Sequence, residues 1–229
     1  MTVISCSPTK YVDDGSYLLN KVEVKTDEER PDVNLSQLKS YVRQKGNSRW
    51  FSAMRLPLAT YSLSGRDTTK WINRMLRSIG EAPVVFDSVE ARKSCEDIRL
   101  AMCNLGYLDA SVDMIPKVKG TKKVNLLFTV HPGEPYRIRH IDYIVNDTAI
   151  SRILDVDGDD KRLLRDGMQF NVNELNNERK RITDLLTDVG YYRFHKDYIT
   201  FHADSIGNSH DIDLRLLLHE YVVGRDSIA

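Results

Sequence analysis

The chain has 229 residues, of which 41% are hydrophobic and 29% are charged, and its formal net charge is zero. This composition predicts a folded chain, large enough for one big domain or two modest ones, and argues against intrinsic disorder. No stretch approaches the roughly 20 apolar residues that cross a bilayer as a helix, and the balanced charge weakens the case for a nucleic-acid-binding surface.

The first predicted elements follow a leader, residues 1–16, which we expect to be flexible. The stretch "YLLNKVEV" at Tyr17–Val24 predicts an opening strand. The segment "VNLSQLKSYVRQK" at 33–45 is predicted to be helical.

A basic segment comes next, because Lys39–Gly80 contains nine basic residues and one acidic residue. Within it, "TTKWINRMLRSIG" predicts a helix with five apolar residues on one face and cations beside them. A helix of this kind can lie at a membrane surface. It can also pack on its own domain with a solvated basic rim, or dock on an acidic neighbouring domain. The residues predicted to form this membrane or partner face are Arg66, Lys70, Trp71, Arg74 and Arg77.

A longer helix is predicted at Asp87–Leu105. Its apolar residues recur at intervals near 3.6 positions, and Asp87 can cap its first turn. Gly106 then suits the left-handed conformation that ends many helices, and Tyr107 is expected to anchor the turn. Two antiparallel strands are predicted to follow, at Ala110–Lys117 and Val124–Val130.

The same order of elements recurs in the second half of the chain. The stretch "TAISRILDV" is predicted to be helical, and a longer helix is predicted to open at Asn173. Gly190 and Tyr191 end that helix, 84 positions after the first Gly-Tyr pair. The strands of this copy are predicted at Tyr136–Val145, Phe194–Phe201 and Ile212–Leu218.

The repeat predicts an α+β chain of two tandem small domains. Each would have the element order β-α-α-β-β, with a three-stranded mixed sheet and two helices on one face. The domains are predicted at 17–135 and 136–222, with a tail at 223–229. The first would carry an insertion of about 35 residues at about 46–86. The prolines of "PGEP" (132–135) are expected to end one ladder and form the linker.

This repeated unit, with Gly-Tyr after its second helix, resembles the POTRA domain. The joint "HPGEPYRIRHI" (131–141) is similar to POTRA–POTRA joints of the outer-membrane assembly superfamily that includes BamA and TamA. The opening "SCSPTKYVDDGSYLLNKVEV" also resembles TamL, the lipoprotein form of TamA found in Bacteroidetes. The resemblance covers nearly the whole chain and is specific as a set of features.

The resemblance implies a non-catalytic arm in the periplasm, attached to the outer membrane, that precedes a membrane β-barrel and helps to assemble or translocate outer-membrane proteins. Its partners would be unfolded outer-membrane protein clients, with a TamB-like or other assembly protein as a further candidate. Peripheral membrane contact is a third expectation, and nucleic acid is not expected. A BamA-type arm and a pure scaffold that contacts no client are the alternatives.

The resemblance also concerns the N-terminus. The tetrad "VISC" (3–6) resembles the end of a lipobox, which makes Cys6 the candidate lipid attachment site. Ile4 is bulkier than the small residue usual there, and a signal peptide is expected to have preceded the cysteine. An incidental cysteine in a disordered leader is the alternative.

The strand pattern predicts how such a module would bind. The last strand of each copy, Val124–Val130 and Ile212–Leu218, is the most apolar, so we expect these two strands in the centre of their sheets. The strands before them would then lie at an edge, where unpaired N–H and C=O groups can accept an extended client strand. An edge that is merely protected and binds nothing is the alternative. The residues predicted to form these client-binding edges are Ala110, Val112, Met114, Tyr198 and Thr200.

The sequence contains no arrangement typical of an enzyme or a metal site. The acidic run "DVDGDDKRLLRD" (155–166) approaches a calcium loop but has Asp160 where that loop needs glycine. The six histidines lack the spacing of metal ligands. We therefore predict no catalytic activity and no metal or other cofactor.

Overall fold

The computed structural model describes residues 9, 11–47, 56–64, 69–205, 207 and 209–219. By its internal contacts the chain divides into two units. The first comprises the described residues up to Ala101 together with Ala110–His131. The second comprises Met102–Asp109 and the described residues from Pro132 onward.

The first unit is built on a three-stranded mixed sheet. Its central strand is parallel to the opening strand and antiparallel to the strand before it, which is the predicted order. The elements are β1 (Leu18–Thr26), α1 (Leu35–Ser40), α2 (Leu56–Leu63), α3 (Trp71–Ile79), α4 (Ser88–Asn104), β2 (Ser111–Val118) and β3 (Lys123–His131). The last three residues of α4, from Met102, are grouped with the second unit.

The second unit repeats this topology. Its sheet again has the last strand in the centre, parallel to the opening strand and antiparallel to the middle one. The elements are β4 (Arg137–Val145), α5 (Thr148–Asp157), α6 (Val172–Asp188), β5 (Ile199–Ser205) and β6 (Asp211–Leu218), with short 3₁₀ turns at Asp159–Lys161 and Lys196–Tyr198. The predicted α+β class with two mixed sheets is therefore confirmed.

Side-chain caps fix where the helices begin. The Asp87 carboxylate accepts hydrogen bonds from the Val89 and Glu90 amides at the start of α4. Asp147 does the same for α5, and Asn171 caps α6. The helix α6 begins at Val172, one position before the predicted Asn173, and the predicted helix at 33–45 is shortened to the six residues of α1.

The core of each unit lies under its central strand. Every second residue of β3 is buried, at Val124, Leu126, Phe128 and Val130, which is the alternation of a strand with one covered face. In the second unit Ile150, Ile182, Leu186 and Leu216 share one buried cluster with four further residues.

The predicted strand at Phe194–Phe201 was wrong in its first half. Phe194 is 4% exposed and packs in the core, with its ring centroid 5.4 Å from that of Tyr198. Because Phe194 packs in this position, the chain turns, and the residues Lys196–Tyr198 form a 3₁₀ turn before β5 begins at Ile199.

Candidate functional site

The outer margin of β2 has main-chain groups that point away from its sheet. The Lys119 amide donates to the Lys123 carbonyl at 2.8 Å, which fixes the alternation of this antiparallel pair. Val112, Met114, Pro116 and Val118 therefore direct their main-chain groups away from β3. Proline has no N–H, so Val112 and Met114 supply the two outward donors that precede it.

The outer margin of β5 follows from the same rule. The His219 amide donates to the Tyr198 carbonyl at 2.8 Å, so alternate residues from Ile199 to Ser205 point their main-chain groups outward. Thr200 instead faces β6 with its backbone, and its hydroxyl lies 2.9 Å from His219 Nε2. Tyr198 lies in the 3₁₀ turn, outside the strand.

Two of the five predicted edge residues therefore lie within an edge strand and direct their backbone groups outward, and the other three do not meet both conditions. Val112 and Met114 lie in β2 with their main-chain groups outward. Ala110 is 4% exposed and precedes β2 by one residue. Within the described part of the chain, β3 is the recorded ladder partner of β2, and β6 that of β5.

The opening strands form the other margin of each sheet, and their first halves are covered. In the first unit the Leu19 amide donates to the Val84 carbonyl, and the Phe86 amide to the Tyr17 carbonyl, both at 2.8 Å. In the second unit the same two bonds join Ile138 to Met168 and Phe170 to Tyr136, at 2.8 and 2.9 Å.

Each opening strand then breaks its register at one position, at Asn20 in β1 and at Arg139 in β4. Beyond the break in β4, the Asp166 carboxylate accepts a hydrogen bond from the Ile141 amide at 3.1 Å, so this backbone donor is already satisfied. Sequence reasoning missed this cover. The repeat spacing could have indicated it. Val85 and Gln169, which form single β-bridges to the two opening strands, are 84 positions apart like the Gly-Tyr pairs.

The two Gly-Tyr pairs end α4 and α6 with the same hydrogen bonds. The tyrosine amide donates to a carbonyl five residues earlier, from Tyr107 to Met102 and from Tyr191 to Leu186, while each glycine amide bonds three residues back. This is the Schellman arrangement, which places the glycine at positive φ, here +97° for Gly106 and +107° for Gly190.

The surroundings of the two glycines differ. A Cβ added at Gly106 would lie 2.2 Å from the Phe170 carbonyl oxygen, and the Gly106 carbonyl accepts from the Tyr136 amide at 2.8 Å. All three residues belong to the second unit. A Cβ added at Gly190 would meet no atom within 4 Å.

A buried charged cluster, absent from the sequence predictions, lies in the second unit. Glu178 on α6 is fully buried. Its carboxylate accepts from the Tyr143 hydroxyl at 3.1 Å, the Leu163 amide at 3.0 Å and Arg181 at 2.7 and 2.9 Å. Arg181 also pairs with Asp157. Burial, together with the neighbouring Glu178 charge, raises the pKa of the Tyr143 hydroxyl.

The acidic run is used inside the fold. Asp157 pairs with Arg181 and Lys161, and Asp166 bonds the Ile141 amide. Among the described residues, no group of three or more His, Cys, Asp or Glu side chains is placed to hold a metal ion. Nor has any helix of the described ranges the length and apolar character needed to cross a membrane.

The predicted basic face is only partly assembled on α3. Lys70 and Arg74 are exposed, and Trp71 is 68% exposed. Arg77 instead turns toward α2, where its Nε lies 3.2 Å from Ser64 Oγ. Arg66, like the candidate lipid site Cys6, lies outside the described residues.

His131 joins the ends of β1 and β2 through two carboxylates. Its Nδ1 lies 2.5 Å from Asp27 Oδ2 and its Nε2 lies 3.3 Å from Asp113 Oδ2. The Asp27 hydrogen bond is the largest cause that raises the pKa of His131 above its ordinary value, and Asp113 contributes less. The same bond lowers the pKa of Asp27.

These shifts predict a pH dependence. The raised pKa of His131 means that its contribution to stability is complete below the unfolded value of about 6.5 and is lost as pH rises through the folded pKa. The Asp27 contribution is lost as pH falls through its lowered pKa. NMR titration should show Asp27→Asn lowering the His131 pKa more than Asp113→Asn does. Equal effects of the two variants would contradict the assignment.

Comparisons with known proteins found structural likeness alone. No protein-family model matches the sequence, and no curated protein matches it. BamA from Haemophilus ducreyi lacking POTRA domains 1–3 has a TM-score of 0.43 and 16% identity, over 90% of this chain and 30% of that one. The chain therefore spans less than a third of that structure's length.

Two further structures are covered almost completely. POTRA domains 3–5 of Haemophilus influenzae BamA have a TM-score of 0.35 and 13% identity, over 92% of this chain and 100% of that one. POTRA domains 1–2 of Omp85 from Anabaena have a TM-score of 0.38 and 11% identity, over 90% of this chain and 98% of that one.

Proposed function

We propose that the chain is a non-catalytic module of the POTRA type, which holds extended segments of unfolded outer-membrane proteins by strand addition. On this proposal it is the periplasmic arm of a TamA- or TamL-like assembly or translocation factor, with Cys6 as its lipid anchor. The observation that supports strand addition best is the margin of β2, where Val112 and Met114 direct N–H and C=O groups away from the sheet.

The surface beside this margin suits an apolar, extended client. Ile115 is 43% exposed and Val118 is 61% exposed, so the strand offers apolar contacts as well as backbone groups. Main-chain hydrogen bonds would make the binding largely independent of client sequence. β5 would act as a second margin of the same kind, through Ile199, Phe201 and Ala203.

The alternation of β2 makes strand addition testable residue by residue. We expect a peptide from a strand of an outer-membrane protein to slow amide hydrogen exchange at Val112 and Met114. Asp113 and Ile115 already bond to β3 and should change little. Uniform protection along β2, or none, would contradict the proposal and favour a scaffold that contacts no client.

Two substitutions act on the outward donors while the bonds between β2 and β3 stay in place. Met114→Pro removes one outward N–H, and we expect it to weaken peptide binding by about 2- to 10-fold, the net value of one backbone hydrogen bond. Pro116→Ala adds an outward N–H and should strengthen binding by a similar factor. Peptide titrations followed by NMR measure both.

Met114→Leu is the matched control, because it alters the half-buried side chain and keeps the donor. It should bind peptide as the parent chain does. If Met114→Leu weakens binding as much as Met114→Pro, the side chain and not the edge carries the interaction. A BamA-type arm remains the alternative identity, and the number of POTRA units in the complete gene separates it from a TamA-like one.

A further inference from the structure

The helix α3 exposes four of its five apolar side chains and buries a polar one. Trp71 is 68% exposed, Ile79 62%, Ile72 48% and Met75 43%. Asn73, in contrast, is 8% exposed and is the buried residue of the helix. A helix that packs on a soluble core normally has the reverse arrangement, with its apolar stripe inward.

Close contacts with α2 and the turn after it hold α3 in this orientation. The Arg77 guanidinium lies 5.6 Å from the ring centres of both Tyr11 and Tyr61, and its Nε bonds Ser64. At the end of the helix, a Cβ on Gly80 would lie 2.5 Å from the Tyr61 amide nitrogen. The helix therefore packs through its polar side, and rotation to bury the apolar side chains would break these contacts.

We propose that the apolar face of α3, formed by Trp71, Ile72, Met75 and Ile79, inserts into the interfacial layer of an anionic phospholipid bilayer. An interfacial helix has a Trp- and Ile-rich face bordered by cations, and its aromatic ring sits at headgroup depth. α3 has Lys70 and Arg74 exposed beside this face. The stretch 69–80 contains no acidic residue that would oppose the lipid charge.

Charge also distinguishes a bilayer from a second copy of this chain. Two copies joined through this face would bring two basic borders together, with no acidic residue of 69–80 to pair with Lys70 or Arg74, and like charges across an interface are unfavourable. An anionic headgroup layer instead pairs with both cations while the apolar side chains enter the acyl boundary. The bilayer is thus the occupant that satisfies both features of the helix.

The test uses the full chain with vesicles of phosphatidylcholine, with and without phosphatidylglycerol. We expect about tenfold or stronger binding to the anionic vesicles, because two cations contribute near the surface. In a Trp50→Phe background Trp71 is the single tryptophan, and its emission should shift to shorter wavelength on binding. Absence of binding, or equal binding to both vesicles, would overturn the proposal.

Ile79→Glu should reduce anionic vesicle binding by about tenfold, because it places a carboxylate within the inserted face. Val156→Glu is the matched control, since Val156 is 87% exposed in the second unit and should leave vesicle binding unchanged. Circular dichroism establishes that both variants fold. Equal losses in the two variants, or an Ile79→Glu effect on self-association in place of vesicle binding, would refute membrane docking. Peptide binding at β2 should be unaffected, so the two proposals fail separately.

Discussion

Replacing Gly106 by alanine is expected to lower the free energy of unfolding by about 2–6 kcal/mol. A side chain at positive φ costs about 1–3 kcal/mol. The added Cβ would also lie 2.2 Å from the Phe170 carbonyl oxygen, which is backbone and cannot rotate away. Displacing that backbone adds an overpacking cost of about 1–3 kcal/mol. It would also strain the bond from the Tyr136 amide to the Gly106 carbonyl.

Gly190→Ala is the matched control for this prediction. Gly190 has the same cap and a similar φ of +107°, but no atom lies within 4 Å of its added Cβ. Gly190→Ala should lower the free energy of unfolding only by the cost of a side chain at positive φ, about 1–3 kcal/mol. Urea unfolding followed by circular dichroism measures both variants. Equal losses would show that contact with Phe170 contributes nothing.

Glu178→Ala is expected to destabilise the second unit by about 3–5 kcal/mol, as measured for buried ion pairs that lose one partner. The substitution leaves the Leu163 amide and the Tyr143 hydroxyl without their acceptor and removes one of the two carboxylates that pair with Arg181. Glu178→Gln keeps the shape and should cost less, since its amide oxygen still accepts one of these bonds.

The measurement has to report the second unit. The sequence of the second unit, Met102–Asp109 and Pro132 onward, contains no tryptophan, so tryptophan fluorescence would miss the effect. Amide hydrogen exchange in β6 follows the second unit directly. Asp184→Ala, an exposed change on the same helix, should stay within about 0.5 kcal/mol. A comparable loss there would attribute the Glu178 effect to α6 itself and not to the buried cluster.

Local signals in the sequence predicted most of the fold. The alternation around Leu126 and Phe128, followed by a second copy of the pattern, was sufficient to place the central strands. Gly106 and Gly190 were identifiable because a positive φ after a helix favours glycine whatever surrounds it. The order of the strands was predicted as well, but the residues that face outward, such as Val112 and Met114, depend on the hydrogen-bond alternation that the structure shows.

The remaining features depend on tertiary packing that no local pattern encodes. Phe194 reads as part of a strand, yet its burial in the core delays β5 to Ile199. Glu178 reads as a surface residue of an amphipathic helix, yet it is fully buried because Arg181, Tyr143 and the Leu163 amide surround it. The outward apolar face of α3 was likewise hidden, because periodicity locates a face but does not say which side packs.

Pro116 has a kinetic consequence for any strand held at β2. It leaves Val112 and Met114 as the outward donors before it, so a bound segment gains roughly four backbone bonds, each worth about 0.5–1.5 kcal/mol net. That total corresponds to a dissociation constant of about 1 mM. With ordinary association rates, the residence time would be on the order of a millisecond. A segment bound at β2 would therefore be released quickly and would not be held for long.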